Sequence, residues 1–137
     1  MKSLVVSDYM QRHPVVLMED MSIAAAVERL LSVKQIGAPV VDGAGNLVGF
    51  ASEQDFLRLL LESSYHCELV GKVSDVMRKD VLWCEPDDSV LALAERMTGQ
   101  KPKIYPVLDE GKLVGVISRR DVLRAMDSQL HECYKAG

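Results

Sequence analysis

The chain has 137 residues, 48% of them hydrophobic, and a formal net charge of −4. This length suffices for one compact domain or for two very small ones that share a core. The negative charge and the lack of a Lys/Arg block argue against a general nucleic-acid binder, because such proteins neutralise phosphates with basic patches. No stretch approaches the roughly 20 apolar residues that span a bilayer.

The cysteines and the amino terminus bear on the cellular compartment. Cys67, Cys84 and Cys133 lie far apart, without a Cys-x-x-Cys spacing. An odd number of separated cysteines fits a reducing cytosol better than a disulfide framework. The first residues turn polar at positions 7–8, before the core of a signal peptide is complete. We therefore expect a cytoplasmic protein without direct membrane insertion.

The chain contains an internal repeat. The sequence VSDYM at residues 6–10 returns as VSDVM at 73–77, and APVVD at 38–42 returns as YPVLD at 105–109. Leu-Val-Gly at 47–49 returns at 113–115, after a turn that is one residue shorter. A glycine-rich turn is where a length change costs least. We name residues 6–58 the first copy and residues 73–124 the second copy.

The first half of each copy predicts a strand followed by an amphipathic helix. In the first copy an apolar run at 15–17 precedes Ser22, a suitable helix N-cap. Helical spacing places Ala26, Leu30 and Val33 on one face of that helix. In the second copy the apolar run is at 81–83 and the cap is within Asp87-Asp88-Ser89. Leu93 and Met97 form the apolar face of the helix, and Gly99 fits its end.

The second half of each copy predicts a hairpin followed by a helix. Two β-rich runs, 39–41 and 47–50, flank a glycine-rich turn, and their counterparts flank residues 109–112. A second helix then begins near Ser52 or near Ser118, and the last one extends from Arg119 toward Tyr134. Each copy therefore has the predicted order β-α-β-β-α.

These elements predict an α+β fold of two copies. Neither copy is large enough to bury a good core alone, so we expect them to pack with pseudo-two-fold symmetry into one module. The predicted boundaries are 1–62 for the first motif, 63–72 for a linker and 73–127 for the second motif, with 128–137 as the end of the last helix and a tail. The linker is too short and too apolar to be a free tether.

The repeated motifs resemble a pair of CBS domains, together called a Bateman module. Each copy has the opening Val-Ser-Asp-x-Met, the Pro-Val-Val/Leu-Asp strand and Leu-Val-Gly-x-x-Ser-x-x-Asp in the same order, from about residue 6 to 126. The resemblance implies a cleft between the copies with up to two pockets for AMP, ADP or ATP, or for S-adenosylmethionine or NAD. It also implies a homodimer that regulates an effector, here expected to be another polypeptide.

The Ser-x-x-Asp units, Ser52 to Asp55 and Ser118 to Asp121, are the candidate nucleotide sites. An aspartate one turn into a helix can accept hydrogen bonds from a ribose diol, and the serine hydroxyl with the helix N–H groups can hold a phosphate. The same spacing also fits simple helix capping, with the carboxylate favouring the helix dipole. Spacing alone leaves both readings open; the resemblance favours the nucleotide site.

The two candidate sites differ between the serine and the aspartate. The second copy has Arg119 and Arg120 there, which suit pairing with a phosphate, although a solvated helix face is the alternative. The first copy has Glu53 and Gln54, and Glu53 would repel a phosphate. We therefore predict that Ser118 and Asp121 form the better phosphate site.

The resemblance also implies which residues line the base. Family members usually line the base pocket from the opposite copy, with apolar walls and backbone hydrogen bonds that suit an adenine. The base held by Asp121 would then lie among Leu17, Met18, Ile36, Gly37 and Ala38. The base held by Asp55 would lie among Trp83, Cys84, Lys103, Ile104 and Tyr105, unless Tyr105 itself fills that pocket. Ordinary core or strand positions are the alternative for both sets.

The sequence contains no recognisable catalytic constellation. His13, His66 and His131 are scattered, and there is no Walker loop, Gly-x-Gly-x-x-Gly or zinc pattern. Cys84 fits a buried hydrophobe better than a nucleophile, and the adjacent His66 and Cys67 give no ligand geometry for a metal. We therefore expect a protein that is not an enzyme and holds neither a metal nor a resident cofactor.

Two functional hypotheses follow. The first is a stand-alone regulatory module in which an adenine nucleotide binds between the copies and shifts the dimer geometries that an effector protein reads. The second is a constitutive dimeric scaffold whose pockets are degenerate and empty. Glu53 favours the scaffold for one pocket, and Arg119 favours the nucleotide for the other.

Overall fold

The chain folds into two compact units, in a computed structural model that describes residues 4–66, 71–99 and 102–136. One unit comprises Pro14–Val81, and the other comprises Met1–His13 together with Leu82–Gly137. We name them the Asp55 unit and the Asp121 unit, after the buried aspartate in each. None of the helices in the described ranges has the length and apolar character that a membrane crossing requires.

The Asp55 unit has a three-stranded sheet with two helices. Its elements are β1 (Leu17–Met18), α1 (Ile23–Leu31), β2 (Gly37–Val41), β3 (Leu47–Ser52), α2 (Glu53–His66) and a 3-10 turn at Val73–Asp75. Strand β1 pairs with β2 in parallel, and β2 pairs with β3 in antiparallel fashion. The first copy therefore shows the predicted β-α-β-β-α order.

The Asp121 unit has a two-stranded sheet with two helices. Its elements are a 3-10 turn at Val6–Asp8, α3 (Val90–Met97), β4 (Ile104–Asp109), β5 (Lys112–Ser118) and α4 (Arg119–Ala136). Strands β4 and β5 form an antiparallel hairpin. The tight turn fits this hairpin because Glu110 and Gly111 both have positive φ, 52° and 82°, as a two-residue primed turn requires.

The first strand is short in the first copy and absent from the described part of the second copy. In the first copy it comprises only Leu17–Met18, because the backbone of Val15 hydrogen-bonds in both directions to the side chain of Gln35 instead of to a strand. The strand predicted at 81–83 is absent from the described structure. There the chain makes a single parallel bridge between Cys84 and Val107.

The helix caps and most of the apolar faces are confirmed. Ser22 Oγ accepts a hydrogen bond from the N–H of Ala25 at 3.2 Å, and Ser89 caps α3 in the same way. The predicted face residues Ala26, Leu30, Leu93 and Met97 are buried. The prediction for Val33 is wrong: α1 ends at Leu31, and Val33 lies beyond the end with 40% of its surface exposed.

The opening segment of each copy, residues 6–11 or 73–78, packs in the unit that contains most of the other copy. Gln11 forms a pair of backbone hydrogen bonds with Val116 of β5, at 2.8 and 3.0 Å. Arg78, at the matching position of the second copy, forms the same pair with Phe50 of β3, at 2.9 and 2.8 Å. The compact units therefore differ from the sequence copies, because the opening segment of each copy belongs to the unit of the other.

The predicted linker at 63–72 overlaps an element of regular structure. Helix α2 continues to His66, and residues 67–70 lie outside the described part of the chain. The predicted boundaries 1–62 and 73–127 describe the repeat in the sequence, whereas the compact units begin and end at Pro14 and Val81. The boundaries stay a prediction.

The repeated Leu-Val-Gly motif has a packing reason. A Cβ added at Gly115 would lie 2.5 Å from the carbonyl oxygen of Gln11, and one added at Gly49 would lie 2.9 Å from that of Arg78. Real Cβ atoms do not approach a backbone oxygen this closely. The glycine is therefore required because an opening segment crosses directly over it.

We expect Gly115→Ala to lower the free energy of unfolding by about 2 kcal/mol, because the backbone of Gln11 must move away from β5. For a domain of this size this means a melting temperature lower by several degrees. Gly43→Ala is the matched control, since an added Cβ there meets no atom within 4 Å. A Gly115→Ala protein that melts with the wild type would contradict the close crossing.

Tyr105 is buried in the core of the Asp121 unit. Its side chain is fully buried among Val6, Leu93, Met97 and Ile117. Its hydroxyl has no hydrogen-bond partner among the described residues, while the guanidinium of Arg96 lies 5.1 Å from the ring centroid. A buried hydroxyl without a partner destabilises a fold by about 1–3 kcal/mol.

We expect Tyr105→Phe to raise the free energy of unfolding by about 1 kcal/mol, because it removes the unpaired hydroxyl and keeps the packed ring. Urea unfolding measures this change, with Tyr9→Phe, at a half-buried tyrosine, as the control. A loss of stability in Tyr105→Phe would show that the hydroxyl is hydrogen-bonded in solution.

Candidate functional site

Each unit buries one carboxylate at the start of its last helix. Asp55 is 6% exposed and Asp121 is 3% exposed, and they are the buried polar side chains of the described residues. Removing a carboxylate from water costs several kcal/mol unless hydrogen bonds and charges compensate it. The partners of these two carboxylates therefore define the site.

The serine and the aspartate of each motif hydrogen-bond reciprocally. Asp121 Oδ2 accepts from the backbone N–H of Ser118 at 2.9 Å and from its hydroxyl at 3.0 Å, and Ser118 Oγ accepts from the N–H of Asp121 at 3.2 Å. Ser52 and Asp55 make the same bonds at 3.0, 2.9 and 3.3 Å. This is a capping box, so the structural role that spacing suggested is present in both units.

The second oxygen of each carboxylate points to the opening segment of the other copy. Asp121 Oδ1 accepts from Gln11 Nε2 at 3.0 Å and from Arg124 Nη1 at 3.1 Å. Asp55 Oδ1 faces Nε and Nη2 of Arg78, both at 3.4 Å. The side chains of Arg78 and Arg124 are each 59% exposed. In both units an exposed arginine side chain therefore contacts the second oxygen of the buried carboxylate.

The sequence reasoning missed Gln11, Arg78 and Arg124. A signal for the first two was present, because both residues follow Val-Ser-Asp-x-Met directly in their copies. Arg124 lies three residues after Asp121, a spacing at which helical side chains meet. The sequence did not predict that each opening segment packs in the unit of the other copy, which is what brings Gln11 and Arg78 to the aspartates.

The helix N-terminus offers fewer donors than the sequence analysis assumed. The N–H of Arg119 donates to the carbonyl of Lys103 at 2.8 Å, and the N–H of Asp121 is taken by Ser118 Oγ. The side chains of Lys103, Arg119 and Arg120 are exposed and begin at the same end of the hairpin. Two N–H groups at the start of α4 are therefore engaged within the protein, while three exposed cationic side chains lie beside them.

The predicted base-lining residues lie beside the Ser-x-x-Asp motif of their own unit. Gly37 pairs with Ser52 across β2 and β3, and Ile104 pairs with Ser118 across β4 and β5. Most of the set is buried: Leu17, Gly37, Ala38, Cys84, Ile104 and Tyr105. Met18 is half-buried, and Ile36, Trp83 and Lys103 are exposed. The assignment of each set to the opposite copy stays a prediction.

Cys84 has the properties of a core residue. It is 1% exposed, and burial together with the nearby charge of Asp88 raises the pKa of its thiol to about 12. A nucleophilic cysteine needs a lowered pKa, because the thiolate is the reactive form. Cys133 is exposed, and Cys67 lies outside the described residues.

The structure brings no metal-ligand set together in its described ranges. No group of three or more His, Cys, Asp or Glu side chains there could hold a metal ion. His131 lies 3.4 Å from Asp127 on the exposed surface of α4. The pair of His66 and Cys67 cannot be placed, since Cys67 falls outside the described residues.

Comparison with known proteins identifies the repeat. The sequence model of the CBS domain matches residues 6–62 and 73–128 of the chain. The crystal structure of CBSX2 in complex with AMP is 30% identical, with a TM-score of 0.79, over 92% of this chain and 98% of that one. The CBS domain pair of MJ0100, in complex with 5′-methylthioadenosine and S-adenosyl-L-methionine, has a TM-score of 0.81 at 22% identity, over 93% and 99% of the two chains.

Longer relatives contain the same region. The human 5′-AMP-activated protein kinase subunit gamma-3 is 27% identical over 118 residues, which are 81% of this chain and 24% of that subunit. The chain spans less than half the length of several curated relatives that it matches. Two tandem family matches thus cover most of the sequence, and the fold agrees with solved CBS pairs: the chain belongs to the CBS-domain family, as a tandem pair.

Proposed function

We propose that the chain is a regulatory module that binds an adenine nucleotide and transmits its presence to an effector protein. The observation that carries this proposal is the buried carboxylate of Asp121, fixed by Ser118 and adjoined by three exposed cations, Lys103, Arg119 and Arg120. A fixed acceptor for a diol next to a cluster of cations is complementary to a ribose phosphate. The AMP complex of CBSX2 supports the ligand class.

The two oxygens of Asp121 have different roles in this proposal. Oδ2 stays with Ser118, which keeps the helix start and the carboxylate in place. Oδ1 accepts the ribose hydroxyls, and its two present donors, the side chains of Gln11 and Arg124, turn away from it to solvent or to the ligand. The helix cap and ligand recognition are therefore compatible, because they use different atoms of one carboxylate.

The phosphate is assigned to Arg119 and Arg120. Arginine binds phosphate oxygens through charge-assisted hydrogen bonds, often in pairs. AMP, ADP and ATP all present such oxygens. The Asp121 site is accordingly the better phosphate site of the two, since Glu53 and Gln54 take the places of these arginines in the Asp55 unit.

Regulation requires that the ligand bind one arrangement of the protein more tightly than another. We assign this role to a cytoplasmic homodimer whose geometry the effector reads. The alternative is a constitutive scaffold with empty pockets. One observation favours it: both aspartates already have a full set of hydrogen bonds within the protein. Ligand binding by the purified chain separates the two.

We expect AMP to raise the melting temperature by several degrees, because ligand at about 100 times its Kd stabilises the folded state by about 2.7 kcal/mol. Replacing Arg119 and Arg120 together by alanine should reduce this shift to less than half without lowering the melting temperature of the free protein. Calorimetric melts at a series of AMP concentrations measure both effects.

The matched control is the double replacement of Glu53 and Gln54 by alanine, at the same positions of the Asp55 unit, which should keep the shift. ADP, ATP, NAD and S-adenosylmethionine are screened alongside AMP. Absence of a shift with all five would reject the nucleotide module in favour of the scaffold.

A further inference from the structure

The two Ser-x-x-Asp sites have the same backbone but different charges. The N–H of Glu53 donates to the carbonyl of Ile36 at 2.9 Å, as the N–H of Arg119 donates to that of Lys103 at 2.8 Å. Equivalent side chains therefore begin at equivalent places around each aspartate. Three cations of the Asp121 site, Lys103, Arg119 and Arg120, correspond in the Asp55 unit to an apolar, an acidic and a neutral polar residue: Ile36, Glu53 and Gln54.

The remaining charges near the aspartates offset only part of this difference, because Arg78 of the Asp55 unit stands where the Asp121 unit has the neutral Gln11. Each carboxylate has one arginine partner, Arg78 for Asp55 and Arg124 for Asp121. Arg78 directs both Nε and Nη2 to Asp55 Oδ1, so its charge neutralises the buried carboxylate. Arg58 occupies the position of Arg124 in the other copy and is equal in charge to it. Even with Arg78 and Arg58 counted, the Asp55 site is less positive than the Asp121 site, and it carries the exposed carboxylate of Glu53 at the start of α2.

The segment that precedes β2, next to Glu53, is also more apolar than its counterpart in the second copy. At the end of α1 and in the turn before β2 the chain exposes Leu31, Val33 and Ile36, with 79%, 40% and 40% of their surfaces accessible. The positions that match Leu31 and Ile36 in the second copy are Thr98 and Lys103. A phosphate placed here would meet a carboxylate and aliphatic groups in place of three cations, which disfavours its desolvation.

We propose, on the basis of the proposed function, that the Asp55 site selects an adenine nucleoside without a phosphate. Its ligand class is an adenosine whose 5′ substituent is neutral or cationic, and the Asp121 site takes the phosphorylated form. Asp55 accepts the ribose hydroxyls in the same way as Asp121, and Glu53 discriminates against an anionic 5′ group by repulsion. The module thus reads two different adenine compounds with one repeated motif.

AMP and adenosine are the direct probes, since they differ only in the 5′-phosphate. In a nitrogen-15 NMR titration of the full chain, the amides of Ala51, Ser52 and Phe56 report on the Asp55 site. Those of Ile117, Ser118 and Val122 report on the Asp121 site. We expect adenosine to bind the Asp55 site about tenfold more tightly than AMP does, and AMP to bind the Asp121 site about tenfold more tightly than adenosine does.

A transplant of the three side chains tests the cause. The triple variant Ile36→Lys, Glu53→Arg, Gln54→Arg gives the Asp55 site the charges of the Asp121 site. We expect its affinity for AMP at the Asp55 reporters to rise about tenfold, with adenosine little changed. Glu62→Arg is the control, because Glu62 is an exposed acidic residue of the same helix, away from the site, and should leave AMP binding there unchanged.

The outcomes separate this inference from the function on which it rests. Equal affinity of AMP at both sets of reporters, adenosine binding confined to the Asp121 reporters, or a triple variant with unchanged AMP affinity would each overturn the inference and leave a nucleotide module. If neither compound shifts any of the reporters, the proposed function fails as well.

Discussion

The crossing of each opening segment over a strand of the other copy's unit is the constraint on which this structure depends. Two backbone hydrogen bonds join Gln11 to Val116, and two join Arg78 to Phe50. These bonds need a strand without a side chain at the crossing point, which explains Gly49 and Gly115. Because each unit is completed by the other copy, neither copy has a full core of its own. The duplication is thus a condition of folding rather than a doubling of an independent domain.

The same crossing builds the candidate site. It brings Gln11 to the carboxylate of Asp121 and Arg78 to that of Asp55, two contacts between residues far apart in the sequence. Each aspartate consequently has one oxygen engaged by its own helix start and the other by a segment that the opposite copy supplies. A ligand that competed for the second oxygen would displace the side chain of Gln11 or Arg78 from it. This is a physical route by which occupancy of the site could alter the packing of the opening segments, without a change in the helix cap.

Local rules were sufficient for what is local. Ser22 and Ser89 cap their helices, the hairpins form around their glycine turns, and Ser118 bonds to Asp121 three residues on, because each depends on a few neighbouring residues. The same rules failed where a distant residue competes. Val15 lies outside a strand because Gln35 takes its backbone groups, and Gln11 and Arg78 reached the site only through the crossing. The repeat and its family could be read from the sequence, whereas the exchange of segments needed the fold.

The two copies show which parts of such a motif can diverge. Ser52 and Ser118, like Asp55 and Asp121, take part in a hydrogen-bond network that requires a hydroxyl at the first position and a carboxylate at the second. The exposed positions next to them have no such requirement. Glu53 and Arg119 donate the same backbone hydrogen bond, to Ile36 and Lys103, although their side chains differ. Charge at those positions can therefore change at little cost in stability, because surface substitutions are usually within about 0.5 kcal/mol. The two copies of such a motif can therefore diverge in surface charge while the fold and the capped aspartate stay the same.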